Sequence, residues 1–450
     1  MLPRIMDVWK ENKVTLKLAF PIITGQVSQM LMGLIDTLMI GHIGTTELAA
    51  AAMTNVLFNF PFVLGIGLFI AVSVMVSHAH GADNDEEAGE AFRNGYLMAL
   101  VLGVVLAAGL LGTLPFLDLL HQPEDVVAAI PDYLIWMALS LIPSIPMFTI
   151  KNFAEAKNRP WTVLWIMMGG VALNIVLNYL LIFGKFGLPE LGLAGAGIAT
   201  FLARLSTWWA LWTYQKKSRA LASARPKRWL KPLDQKICLQ TAKIALPATG
   251  QLTMEFGSFA AAAILIGQFG SVSLAAHQIT LSCAAFTFMI PLGLALAVTI
   301  RVGHTVGAGE NERCNRIVIG AHITAFCMMG LTAAAFLLAG EPIAGMFSQD
   351  SEVIAVTASL FVYAAAFQIF DGAQVISMGA LRGLKDVNIP TAIIFVSFWI
   401  IGIPLGAALA FSSDMEARGL WIGLAMGLAV ASVVLGIRLK QKLSKLHRSE

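Results

Sequence analysis

Residues 256–300 read FGSFAAAAILIGQFGSVSLAAHQITLSCAAFTFMIPLGLALAVTI and contain no Asp, Glu, Lys or Arg. A helix needs about 20 apolar residues to cross a bilayer, so this stretch is too long for one crossing. Residues 267–278 in its middle supply a turn. The stretch therefore holds the end of one membrane span and all of the next, which indicates a helical protein that crosses the membrane repeatedly.

The composition of the whole chain supports this class. Of the 450 residues, 57% are hydrophobic and only 13% are charged, whereas soluble domains carry about 25% charged residues. The four cysteines form no CxxC pair, so we expect reduced, small apolar side chains. Together with the two spans above, which begin near residue 243, ten further apolar stretches predict an all-α protein of twelve transmembrane helices, at residues 18–35, 48–82, 94–117, 133–150, 160–184, 193–212, 317–340, 353–381, 390–411 and 419–437.

The distribution of basic residues predicts the orientation of these spans. All but three of the 30 Lys and Arg fall on the side of the two termini, and the exceptions are Lys185, Arg204 and Arg418. Basic loops stay in the cytoplasm, so both termini should be cytoplasmic. The basic segment 216–242 is expected to be a solvated tether, and the alternative is an amphipathic segment in the membrane plane.

The chain repeats itself with an offset of 226 residues. The motif GHIG at residues 41–44, followed by LAA, corresponds to GQFG at 267–270, also followed by LAA. Six spans in each half give parallel repeats related by an axis along the membrane normal. We therefore expect an N-lobe at 1–215, a cytoplasmic linker at 216–242 and a C-lobe at 243–450, with a V-shaped central cleft between pseudo-symmetric lobes.

Three acids interrupt the apolar spans: Asp36, Glu255 and Asp371. A charge in hydrocarbon costs about 2.5–3.5 kcal/mol on insertion scales, and an intramembrane acid marks a functional site by default. With an offset of 226, Asp36 corresponds to Ala262 and Glu255 to Gln29, so these two acids break the repeat. That asymmetry favours a function over a role in folding alone.

The position of each acid along its span predicts its depth. Glu255 follows Lys243 by twelve residues and Asp371 precedes Arg382 by eleven, which places both about 16–18 Å above the cytoplasmic face. Asp36 lies about 28 Å up, nearer the outer surface. Carboxylates bind protons and hard cations such as Na⁺, so Glu255 and Asp371 are the predicted coupling-ion site and the metal site if the ion is sodium.

Polar side chains of two further spans are candidate ligands beside Asp36. Asn174 and Asn178 are one helical turn apart and share a face, and Thr200 lies in the next span. Each of the three also fits an interhelical hydrogen bond without an ion. Arg204, the one cation within a span, is interpreted as the partner of an acid or as a side chain that reaches the interface.

No phosphate loop, GxSxG or HExxH motif is present, so the sequence predicts a transporter and not an enzyme. Without an ATP-binding domain, active transport has to be driven by an ion. The sequence offers no cofactor site and no nucleic-acid motif. The expected partners are the lipid bilayer and lipophilic organic cations, and we expect a monomer.

The whole chain resembles the multidrug and toxic compound extrusion (MATE) transporters, and specifically their bacterial NorM-like branch. The residues that carry this resemblance are IDT at 35–37 with GHIG at 41–44, AAHQ at 275–278, IRVGH at 300–304, FDGAQ at 370–374 and GALRGLKD at 379–386. The resemblance implies antiport of organic cations, including dyes and fluoroquinolone-type drugs, in exchange for Na⁺ or H⁺. It also implies that Glu255 and Asp371 bind the coupling ion and that Asp36, Asn174 and Asn178 form a second cation site. Some relatives carry a Tyr hydroxyl where this chain has Phe367.

Two other functions remain open at this stage. A flippase for an anionic lipid-linked precursor has a related fold, but it needs a basic cavity to bind phosphates, and the mid-span charges here are three acids against one Arg. A passive channel or a structural membrane protein is the other alternative, which the asymmetric acids disfavour.

Overall fold

The computed structural model describes residues 5–120, 122–229, 231–413 and 415–448. Arg4, one of the basic residues on the terminal side, and the domain limits at residues 1 and 450 lie outside them. The described chain is helical, with the elements α1 Ile5–Gly41, α2 Thr45–Gly81, α3 Asp85–Leu111, α4 Glu124–Ala156, α5 Pro160–Ile182, α6 Gly192–Lys217, α7 Gln235–Ile266, α8 Ser271–Gly307, α9 Asn311–Leu338, a short α10 Gly340–Gly345, α11 Ser351–Gly383, α12 Asn388–Phe395, α13 Ile403–Ser412 and α14 Glu416–Arg448.

Eleven membrane-length apolar segments occur in the described residues, and α12 and α13 count as one of them because a π-helical turn joins them. The 26-residue α6, which contains Arg204, is long enough to be the twelfth. The prediction of an all-α fold with twelve transmembrane helices in two pseudo-symmetric sets is confirmed. The repeat is visible in α2 and α8, which are both 37 residues long and begin 226 residues apart.

The helices group into two compact units. Unit 1 comprises Met1–Ile23 and Gly250–Glu450, and unit 2 comprises Thr24–Thr249. The start of α1 therefore belongs to unit 1, and the start of α7 to unit 2. Sequence repeats alone predicted a division at the linker, whereas the packing assigns these two helix ends differently.

Within unit 1, charged residues attach the start of α1 to α8 and α9. The Arg301 guanidinium forms an ion pair with Glu11 at 2.5 Å and donates to the Glu11 carbonyl oxygen at 2.8 Å. Arg313 contacts the other Glu11 carboxylate oxygen at 2.8 Å. The Asn12 amide donates to Thr324 Oγ1 at 2.9 Å. These contacts explain why the first turns of α1 belong to unit 1, while the rest of α1 belongs to unit 2.

Also in unit 1, the backbone of α14 approaches the π-helical turn Val396–Gly402 closely. Pro404 begins α13 without an N–H, and its ring clashes with the carbonyl one turn earlier, which favours the wider π turn. A Cβ on Gly423 would lie 2.4 Å from both the Gly402 carbonyl oxygen and Gly406 Cα. Only glycine fits at such a contact, so the two segments pack backbone against backbone.

In unit 2, residues 218–234 between α6 and α7 form a linker strap that folds against the helices. Leu221 and Ala224 are fully buried. Arg225 donates to the Gln215 carbonyl oxygen at 3.0 Å. The Trp229 ring packs edge-on against Trp212, with the ring centroids 5.0 Å apart. The expectation of a solvated tether is therefore wrong, because apolar side chains and arginine hydrogen bonds attach the described part of the strap.

Arg93 of α3 is the main polar attachment of the strap. Its side chain is fully buried, and it donates to the carbonyl oxygens of Lys231 at 2.6 Å and Pro232 at 3.1 Å. The next residue, Asn94, accepts a hydrogen bond from the Asp234 backbone N–H at 2.8 Å. These bonds fix the end of the strap just before α7 begins.

Candidate cation sites

In unit 2, Asp36 ends a chain of polar side chains from three helices. Asn178 of α5 donates to Asp36 Oδ1 at 2.5 Å and to Asn174 Oδ1 at 3.3 Å. Asn174 in turn donates to Thr200 Oγ1 of α6 at 3.3 Å. Asp36 is 9% exposed, Thr200 is 2% exposed, and both asparagines are fully buried. The four residues predicted from spans one, five and six therefore lie together.

This polar chain leaves acceptor capacity for an ion. The Asn178 side-chain carbonyl oxygen is buried and has no hydrogen-bond partner in the part of the chain that the structure describes. No Lys or Arg within the described residues forms an ion pair with Asp36, so the carboxylate is held by one amide only. A buried carboxylate without a counter-charge is unfavourable, and oxygen ligands of this kind suit a proton or a hard cation.

Arg204 lies one turn beyond Thr200 on α6, so the two side chains share a helix face. Its Nη1 donates to Ser140 Oγ of α4 at 2.7 Å, and its guanidinium lies 4.9 Å from the centre of the Phe58 ring. No ion pair joins Arg204 to Asp36 among the described residues, so the arginine charge can act on this carboxylate only through space. The sequence left open whether Arg204 pairs with an acid, and the structure places it near one without contact.

In unit 1, Glu255 of α7 and Asp371 of α11 form the second candidate site. Asp371 is 4% exposed and Glu255 is half-buried. Two contacts join α7 to α11 on either side of these acids, the packing of the Phe259 and Phe367 rings and the hydrogen bond from Arg382 to Gln251, so the two carboxylates lie in the same region. Asp371 has no hydrogen-bond or ion-pair partner among the described residues. An unpaired buried carboxylate next to a second one strongly favours the uptake of a positive charge.

The surroundings of Asp371 are largely apolar on one side. Phe367, one turn earlier, is 4% exposed and packs edge-on against Phe259 and Trp421, with ring centroids 5.9 Å apart in each pair. This position supplies no hydroxyl ligand. On the polar side, Gln368 donates to Thr287 Oγ1 of α8, and its own carbonyl oxygen is buried without a partner.

Sequence reasoning missed two neighbours of Glu255. The Arg382 guanidinium lies near the Glu255 carboxylate, since it donates to Gln251 one turn earlier on α7, and the Gln374 amide is the other polar group close to this acid. Arg382 is 4% exposed and donates to Gln251 Oε1 at 2.9 Å, while its Nε has no partner. The sequence analysis placed Arg382 at the cytoplasmic end of its span. The signal that could have found it is its position three turns from Asp371 on the same helix.

Within the described residues, no three His, Cys, Asp or Glu side chains are grouped closely enough to hold a metal ion by themselves. The donor atoms that the two candidate sites offer are carboxylate, amide and hydroxyl oxygens. Such mixed oxygen sites suit Na⁺ or a proton better than a transition metal. The acids of the two sites belong to different units, Asp36 to unit 2 and the Glu255–Asp371 pair to unit 1.

Comparisons with known proteins bear on the family and the fold of this chain. The MatE family model matches residues 21–180 and 247–408, two segments that begin 226 residues apart. The chain is 34% identical over 430 residues to the "Probable multidrug resistance protein NorM" of Bradyrhizobium diazoefficiens, covering 95% of this chain and 92% of that protein. It is 34% identical over 445 residues to the "Multidrug resistance protein NorM" of Burkholderia vietnamiensis, covering 96% and 94%.

Solved structures show the same fold. The Vibrio cholerae MATE transporter VcmN in its bent form has a TM-score of 0.88 at 21% identity, covering 98% of this chain and 99% of that chain. The eukaryotic MATE transporter AtDTX14 has a TM-score of 0.87 at 22% identity, covering 98% and 99%. At this level of identity the likeness shows the fold alone.

Proposed function

Because the chain belongs to the MatE family, we propose that it exports lipophilic organic cations, including drugs, across the cytoplasmic membrane of a bacterium in exchange for Na⁺ or H⁺. The observation that carries this proposal is the Asp371 carboxylate, which is buried without a hydrogen-bond or ion-pair partner among the described residues. Burial of a charge in this state is unfavourable unless a proton, a metal ion or a cationic ligand neutralises it.

The acids give the exchange a simple physical basis. If the coupling ion and the organic cation compete for linked carboxylates, binding of the ion releases the drug, and the reverse follows by thermodynamic linkage. Glu255 and Asp371 are the proposed primary site for the coupling ion, since their mutual repulsion is relieved by one positive charge. Asp36, with Asn174, Asn178 and Thr200, is the proposed second cation site.

Alternating access is part of this proposal. A carrier has to expose the same acids to the two sides of the membrane in turn, so that an ion gradient can drive the drug outward. A flippase for an anionic lipid would need a basic cavity to bind phosphates. The charged residues of the two sites are instead three acids, Asp36, Glu255 and Asp371, with two arginines. The proposed orientation, with both termini in the cytoplasm, rests on the asymmetry of Lys and Arg.

Efflux from vesicles tests this function. Ethidium efflux is measured with an imposed Na⁺ gradient and then with an imposed pH gradient. We expect Asp371→Asn and Glu255→Gln to abolish the ion-driven component. Glu352→Gln is the matched control, because Glu352 is an exposed acid in the first turn of α11 and should be dispensable. Wild-type rates in either well-expressed acid variant would refute the coupling role.

Substrate charge is tested by direct binding. Rhodamine 6G, a lipophilic monocation, should bind the detergent-solubilised protein less tightly as the coupling ion is raised. Anionic dyes of similar apolar area should not bind. If neither Na⁺ nor H⁺ shifts the dissociation constant, competition at the acids is wrong.

Orientation is tested by cysteine labelling from outside the cell. An impermeant maleimide should miss Ser223→Cys in the linker strap and reach Ser348→Cys between α10 and α11. The reverse labelling pattern would reject the proposed topology.

A further inference from the structure

Asp36 and Arg204 are opposite charges inside the same unit, and the structure keeps them apart. Within the described residues, no ion pair joins Arg204 to a carboxylate, and its guanidinium donates to Ser140 Oγ at 2.7 Å. A guanidinium carries five N–H donors, so this hydroxyl satisfies only a small part of it. The guanidinium also lies over the Phe58 ring, 4.9 Å from the ring centre.

A small cavity adjoins Arg204, and most of the residues that line it are apolar. The cavity has a volume of about 20 Å³ and is lined by Arg204 together with Gln29, Thr207 and several apolar side chains, which include Met32, Met147 and Met167. A space of this size holds about one water molecule. Gln29 precedes Asp36 by seven residues, two helical turns, so both are on the α1 face that Arg204 approaches.

A chain of hydrogen bonds leads from Asp36 to the helix that carries Arg204. Asn178 and Asn174 connect Asp36 to Thr200, and Arg204 lies one turn further along α6. Both amides are fully buried. The arginine is therefore a permanent positive charge close to the polar chain that ends at Asp36, and among the described residues it forms no ion pair with that acid.

We infer that Arg204 is the resident counter-cation of the Asp36 site, a positioning residue that sets how strongly this site attracts a coupling ion. This inference rests on the proposed function and deepens it. Arg204 offsets the charge of Asp36 while the site is empty, and it repels any cation that binds there. With an effective dielectric of about 20 and a separation on the order of 10 Å, one unit charge changes the affinity for a cation by roughly tenfold.

The test uses a background in which the unit 1 acids are neutral, Glu255→Gln with Asp371→Asn, so that the remaining ion response reports on unit 2. Rhodamine 6G binding to the purified full-length protein is followed by fluorescence anisotropy while Na⁺ or H⁺ is raised. The titratable groups that face Arg204 are Asp36 and Tyr133. The quantity compared is the ion concentration that displaces half of the dye.

Arg204→Gln should lower this concentration about tenfold, because the glutamine amide keeps the hydrogen bond to Ser140 but loses the charge. Arg204→Lys keeps the charge and should match the unmodified protein within about threefold. Adding Asp36→Asn should remove the ion response with either residue at position 204. Arg204→Met fits the methionine-lined cavity and serves as a second neutral variant if Arg204→Gln is not monodisperse.

An unchanged midpoint in both neutral variants would overturn the inference, and so would a shift of the same size in Arg204→Lys, since a purely structural role would produce it. A shift that persists with Asp36→Asn would also overturn it. Failure of the proposed function would give a different result from those above. In that case the otherwise wild-type protein would bind rhodamine 6G with no dependence on either ion, and the inference would fall with it.

Discussion

Removal of the Arg93 side chain should release the linker strap from the helices of unit 2. Arg93→Met deletes two hydrogen bonds from a charged donor to the carbonyl oxygens of Lys231 and Pro232, at 2.6 and 3.1 Å. Hydrogen bonds to charged groups contribute about 1.5–3 kcal/mol each. Lys231 and Pro232 are exposed, so their carbonyls regain water, and we take the lower end, about 3 kcal/mol for the pair. This corresponds to a rise of about a hundredfold in the fraction of molecules with the strap detached.

Cysteine accessibility measures this detachment. In a background without the four native cysteines, Ala224→Cys reports the buried side of the strap, because Ala224 is fully buried. Its maleimide labelling rate should rise about a hundredfold with Arg93→Met. Ser223→Cys is the matched control, since Ser223 is exposed and its rate should stay the same. If Ala224→Cys reacts at nearly equal rates with and without Arg93, the arginine does not hold the strap.

Three further changes test the packing, each read out as the thermal unfolding midpoint of the purified protein. Gly423→Ala should lower the midpoint sharply because its Cβ would lie 2.4 Å from the facing backbone, whereas Gly436→Ala in the same helix meets nothing within 4 Å and should leave it unchanged; equal midpoints would contradict the close contact. Lys151→Met should destabilise by about 3–5 kcal/mol because it leaves the buried Glu155 without its partner at 2.9 Å, and combining it with Glu155→Leu should recover most of the loss; no recovery would refute the assignment to an unpaired charge. His277→Phe should keep or raise the midpoint, since neither nitrogen of this buried ring has a hydrogen-bond partner among the described residues; a large drop would refute the reasoning that the ring nitrogens are an unsatisfied cost.

The helices were the most predictable part of the fold. Apolar stretches of membrane length identify each span, because hydrocarbon demands internal hydrogen bonds and apolar side chains together. The ends were less predictable. The apolar stretch of the first span begins at residue 18, yet α1 begins at Ile5, and α14 continues to Arg448 beyond the predicted end at residue 437. A helix can extend past the end of its apolar stretch, because its backbone hydrogen bonds also form where the side chains are charged and exposed to water.

The amino-acid composition of the linker strap did not predict how it packs. Its many Lys and Arg residues read as a solvated segment, and several of them are indeed exposed. What folds the strap is a buried arginine on another helix and the packing of Trp229 against Trp212. Contacts of this kind depend on the tertiary structure, and a single sequence contains no period or motif that reveals them.

The candidate sites were partly predictable for a similar reason. An acid in an apolar span stands out in any sequence, and two asparagines one turn apart must share a face, so Asp36, Asn174 and Asn178 could be grouped before the structure was known. The partners of Glu255 could not. Arg382 looked like the boundary of a span, although it is buried and donates to Gln251. Charge alone does not distinguish a residue at the membrane surface from one that turns inward.

The close contact between α14 and the π-helical turn Val396–Gly402 has a consequence for how this protein responds to its bilayer. With backbone against backbone at Gly423, no acyl chain or detergent tail fits between the two spans. They must therefore tilt together when the surrounding membrane becomes thinner or thicker. Hydrophobic mismatch will act on this pair as on a single broad element, while spans separated by larger side chains adjust one by one.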